Sequence, residues 1–153
     1  MKTSTGVGVL AAAAFAVMVP GFSGPAFAKD LKYFRSMKKD AETPLMRHTS
    51  FRGDCETKAA EIKILEQPKN GQAAVKTGTR KFPKGGKGNL AKCDGKTGAA
   101  AAVVYKPKSG FEGFDQLKYE VTFASGNKNT VSYRLKIGDP KKSDDGKGWV
   151  KAK

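Results

Sequence analysis

Few side chains in this sequence could carry out catalysis, and their spacing argues against most of the chemistry they offer. His48 is the sole histidine. A serine–histidine relay would have to be built on it, and no nucleophile motif surrounds it. Cys55 and Cys93 are the two cysteines. They lack C-x-x-C spacing and, with a single histidine, cannot complete a zinc set, so neither a metal nor a cofactor is expected. Asp94-Gly95-Lys96-Thr97 mimics the close of a phosphate-binding loop, but Leu90 stands where G-x-x-x-x-G-K-[ST] requires its first glycine. Glu112 and Asp115 could in principle pair for acid–base hydrolysis, yet the glycine-rich turn around them accounts for both. The expectation is a protein that is not an enzyme.

Charge is the other chemistry on offer. Lysine and arginine number 29 against 14 acidic residues, a net charge of +15. Such an excess draws a protein to polyanions, although a solvated lysine surface that only prevents aggregation has the same composition. Base is densest at Arg80, Lys81, Lys84, Lys87 and Lys92, with no acid before Asp94 and many glycines between. Residues 77–98 therefore read as a long basic loop pinned at Cys93. Long loops are uncommon in compact domains and often functional, while mobility without function fits this composition equally.

The ends of the chain bear on where that charge acts. Lys2, the apolar run Val7 to Val19 and the small-x-small site Ala26-Phe27-Ala28 read as a secretory signal peptide over residues 1–28. The apolar run is too short for a good membrane span, so no transmembrane segment is expected after cleavage before Lys29. Cleavage removes one lysine and lowers the net charge by one. An even cysteine count in an exported chain argues for a Cys55–Cys93 disulfide, which would stabilise the fold by about 4 kcal/mol through loop closure and leave no thiol for catalysis. The expected location is periplasmic or secreted. There the accessible anions are polysaccharide, lipopolysaccharide and lipid headgroups, with no specific nucleic-acid partner.

The elements that must carry these residues read as β-strands. Residues 29–54 form an N-terminal leader: Asp30 could cap a short helix bearing Leu31, Phe34 and Met37, or the segment could be disordered, with Leu45 to Phe51 as a candidate edge strand. Ile62 and Ile64 alternate with polar residues, and Gln67-Pro68-Lys69-Asn70-Gly71 signals a turn into a short strand at 72–76, together a hairpin. Ala99 to Lys106 is a small-residue strand closed by Pro107. Gln116 to Phe123 alternates with Leu117, Tyr119, Val121 and Phe123 on one side, and Thr130 to Ile137 answers with Val131, Tyr133, Leu135 and Ile137. Residues 139–153 form a charged tail read as disordered. One domain is expected over 55–138.

The order of signals at 62–137 resembles the bacterial immunoglobulin-like or cadherin-like domains. Its pieces are Gln67-Pro68-Lys69-Asn70-Gly71, Tyr105-Lys106-Pro107, Gly110-Phe111-Glu112-Gly113-Phe114-Asp115, Tyr119-Glu120-Val121 and the strand ending at Ile137. The resemblance implies an all-β, immunoglobulin-like antiparallel sandwich of about seven strands with one disulfide. It also implies structural roles for Gly110, Gly113, Asp115 and Tyr119. Asp115 would accept N–H bonds within its own turn, and the Tyr119 hydroxyl would return to upstream backbone as a tyrosine corner. The acidic ligand motifs of calcium-binding cadherins are missing, so calcium is not expected. Two functions follow. One is a non-catalytic binding module whose basic loop meets an anionic polymer; the alternative is a structural accessory domain contacting an envelope protein, its charge serving solubility only.

Overall fold

A computed structural model of the chain describes residues 29–51, 55–82, 84–85, 87–139 and 150–151, with only the backbone described at 89 and 90. The nine strands are β1 (Lys29–Met37), β2 (Thr43–Phe51), β3 (Thr57–Ala59), β4 (Glu61–Glu66), β5 (Gly71–Lys81), β6 (Thr97–Pro107), β7 (Gly113–Thr122), β8 (Lys128–Ile137) and β9 (Val150–Lys151), with one 3-10 turn at Gly88–Cys93. They form two sheets, ordered β4-β7-β8-β1-β9 and β3-β2-β6-β5. The fold is an all-β sandwich.

Alternation builds the core. Leu117, Tyr119 and Val121 of β7 lie opposite Tyr133, Val131 and Asn129 of β8, and all but Asn129 are buried. Val103 and Tyr105 of β6, Leu45 of β2 and Met37 of β1 close over them from both sheets. The β7–β8 hairpin follows the alternation read in the sequence. Its turn is held by Gly126 N–H donating to Phe123 O and Phe123 N–H donating to Asn127 O, both at 2.9 Å.

Three expectations are corrected. Residues 29–37 are not a helix. They form a strand parallel to β8, from Lys29↔Asn129 to Met37↔Ile137. Leu31, Tyr33 and Met37 pack on the core, whereas Phe34 lies on the opposite face of the strand, so the helical spacing of Leu31, Phe34 and Met37 was coincidental. Leu45 to Phe51 belongs to a strand, as read, but β2 lies between β3 and β6 rather than at an edge. Both N-terminal strands are therefore integral to the sheets. Lastly, β4 and β5 do not form a hairpin. β4 pairs with β7 and β5 with β6, so residues 67–70 carry the chain from one sheet to the other.

Val150–Lys151 pairs with Tyr33 and Phe34 of β1, so that part of the tail forms a strand. The rest of the tail from 140 on and the signal-peptide reading of 1–28 lie outside the described residues.

Candidate functional site

The residues singled out in the sequence divide between opposite ends of the sandwich. At one end, Gly110 and Gly113 take φ of 71° and 153°, backbone that suits glycine. The Gly110 N–H donates to Asp40 Oδ1 at 2.7 Å, which ties this turn to the β1–β2 link. Asp115 is 4 % exposed. Its carboxylate accepts from Lys69 N at 3.0 Å, Asn70 N at 2.9 Å, the Tyr105 hydroxyl at 2.9 Å and Gln116 N at 2.9 Å. Asp115 thus holds the sheet-crossing link and β6, not merely its own turn. This explains the absence of a β4–β5 hairpin: the N–H groups of Lys69 and Asn70 are turned onto a buried carboxylate. Glu112 accepts the Asp139 N–H at 2.7 Å, so the two carboxylates serve separate backbone donors.

Tyr119 also departs from expectation. Its hydroxyl lies 2.9 Å from His48 Nε2 rather than on upstream backbone. His48 projects from β2 of the facing sheet, edge-on to the Tyr119 ring at 5.6 Å and to Phe123 at 6.5 Å. Burial, then the Arg80 charge, lowers its pKa to about 4, which keeps the imidazole neutral. Burial, with the neighbouring tyrosines, pushes the Tyr119 hydroxyl well above its ordinary range. A neutral imidazole and a neutral phenol here make a bond between sheets.

The opposite end carries the basic segment. The expected loop is shorter than read, because residues 77–81 extend β5 and pair in register with β6 from Thr77↔Ala101 to Lys81↔Thr97. Gly78 weakens the strand without interrupting the ladder, and it stays paired with Ala100 in unbroken register. Arg80 and Lys81 therefore stand on a strand and face opposite sides of the sheet, while Lys84, Lys87 and Lys92 lie in the connection that follows. All five are exposed. Four acids pair with other lysines: Lys76 with Glu42, Lys118 with Glu66, Lys128 with Glu120 and Lys136 with Asp139.

This connection is anchored. Cys93, fully buried, forms the expected disulfide with Cys55, the Cα atoms 5.5 Å apart. The Phe82 N–H donates to Lys96 O at 2.8 Å, Gly85 N–H to Asp94 Oδ2 at 2.7 Å and Lys96 N–H to Cys93 O at 3.0 Å. The Phe82 ring meets Phe51 at 5.8 Å, nearly perpendicular. Beside Phe51 a cleft of about 430 Å³ opens between the end of β2 and the β7–β8 turn. No signal in the sequence points to it, because its two walls are more than seventy residues apart and in different sheets. Among the described residues no group of three or more His, Cys, Asp or Glu side chains could hold a metal ion, and no helix is long and apolar enough to cross a membrane.

No protein-family model and no curated protein matches the chain.

Proposed function

We propose that this chain is an exported, non-catalytic binding module of immunoglobulin-like plan, and that its lysine-rich end contacts anionic polymers of the envelope or the extracellular medium. The observation that carries the function is the anchoring of the 82–96 connection. Hydrogen bonds at Phe82, Gly85 and Lys96 and the Cys93 disulfide hold a segment whose exposed Lys84, Lys87 and Lys92 lie outside the four ion pairs described above. Restraining cationic side chains in advance reduces the ordering cost of meeting a polyanion.

The strand order supports the plan. Without the short β3 and β9, seven strands remain, in sheets β4-β7-β8-β1 and β2-β6-β5. The second, fourth and fifth strands of an immunoglobulin sandwich share one sheet and the third, sixth and seventh the other. Here the first strand joins the seventh in parallel. Export is supported by the leader composition and by the disulfide.

The test is retention on immobilised heparin and on anionic liposomes, comparing the wild type with a Lys81→Gln/Lys84→Gln/Lys87→Gln variant. Loss of retention in the variant is expected. Equal retention of both proteins ends the role of this segment.

One observation favours the structural alternative. Among the described residues, β5 presents an eleven-residue edge paired only on its β6 side, with Val75 41 % exposed. Such an edge can add a partner strand through main-chain bonds. Capture of an envelope protein that resists high salt would favour that reading over the first.

A further inference from the structure

The cleft beside the basic connection has a chemistry of its own. Thr49 of β2 lines one wall, Asn127 and Asn129 the other, and the Phe51 and Phe123 rings flank the opening. Phe51 is 37 % exposed, an unusual place for a large apolar ring, and Phe82 from the basic connection braces it. The Ala124 N–H donates to Ser50 Oγ at 2.8 Å and holds the turn-side wall against β2. Thr49 Oγ1 is buried with no hydrogen-bond partner among the described residues, in a position where such groups normally have one.

The exposed Phe51 ring beside amides and hydroxyls suits a sugar. The C–H face of a pyranose packs on an aromatic ring, and its hydroxyls exchange hydrogen bonds with side chains that both donate and accept. The volume lies within the range of small-ligand sites. A phosphate or sulfate headgroup would call for cations inside the cleft, and among its described lining residues none is Lys or Arg. The cations stand next door, on the segment that contributes Phe82.

We propose that the cleft is a saccharide subsite and that the polymer met by the lysine-rich end is an acidic polysaccharide of uronate type. A sugar ring sits against Phe51 within reach of Asn127, and carboxylates further along the chain meet the lysines. This rests on the anionic-polymer reading above and adds the class of polymer.

The test uses the mature protein with three probes at one ionic strength: polygalacturonate oligomers, a neutral galactose oligomer and phosphatidylglycerol vesicles. Variants are Asn127→Ala, whose backbone bonds are unaffected by the change, Phe51→Ala/Asn127→Ala, and Phe51→Tyr as the conservative control. The wild type and Phe51→Tyr should bind the uronate oligomer, and the double variant should bind it about tenfold more weakly. Vesicle binding should be unchanged in all three. Equal uronate binding by the wild type and the double variant overturns the cleft while leaving the charge reading in place. Preference of the wild type for vesicles overturns the saccharide class. Absence of binding to any polyanion removes the broader reading, and this one with it.

Discussion

Asp115 accepts bonds from three separate parts of the chain: the 67–70 link, β6 and the residue that follows it. Its loss removes the acceptor of three part-buried backbone N–H groups, those of Lys69, Asn70 and Gln116, and of the buried Tyr105 hydroxyl. Asp115→Ala is therefore expected to cost on the order of 4 kcal/mol, read as a lowered urea midpoint. Tyr119→Phe removes one hydroxyl and should cost about 1 kcal/mol, plus whatever the unpartnered imidazole adds. Neither change should alter polyanion retention, because neither residue belongs to the connection that carries Lys84, Lys87 and Lys92. His48 links stability to pH. Its folded pKa is depressed, so the folded state binds fewer protons than the unfolded chain below neutrality. Its contribution is complete above about pH 6.5, falls as pH drops toward about 4, and reaches about 3 kcal/mol. A His48→Gln variant should lose that slope in urea titrations between those limits; a slope equal to the wild type's would show that other groups cause it.

At the scale of elements, the disulfide joins the approach to β3 with the end of the 3-10 turn across a separation of 38 residues. Removing it as Cys55→Ala/Cys93→Ala should lower stability by about 4 kcal/mol through loop entropy. It should also weaken polyanion retention, because Cys93 fixes the segment bearing Lys84, Lys87 and Lys92. Intact retention in the double variant would mean that the remaining hydrogen bonds are sufficient to hold it. The elements also show what the sequence could reveal. The β7–β8 hairpin was legible because its alternation and its turn are both local. β1 was not. Arg35 interrupts its alternation, Phe34 adds an apolar residue on the wrong face, and only the ladder to β8 selects a strand. Asn70-Gly71 looked like a hairpin turn because the carboxylate that redirects it is forty-five residues away in sequence. Cys55 and Cys93 could be paired from their count alone, whereas the cleft could not be read, since its walls meet only after both sheets have formed.

Considered whole, the sandwich carries the Asp115 tie at one end and the disulfide-anchored basic connection at the other. Retention of the intact protein on a polyanion should fall steeply with added salt if the lysines dominate, and only weakly if the cleft does. A salt series on the wild type and the lysine variant separates the two contributions. A flat response in the wild type would show that charge is not what holds the polymer.

The parallel pairing of β1 with β8 also fixes the order in which the chain can fold. Lys29 meets Asn129, and every later pair in that ladder spans the same distance along the chain. For a polypeptide emerging N-terminus first, from a ribosome or through an export channel, the first strand out must wait for the last long strand. Such long-range pairing slows folding and leaves apolar residues of β1 exposed meanwhile. A chain ending at Thr122 should show no cooperative unfolding transition, although all ten residues of β7 are present in it. If the chain is exported as proposed, it must stay unfolded until it has crossed a pore, and this topology lengthens that delay from within.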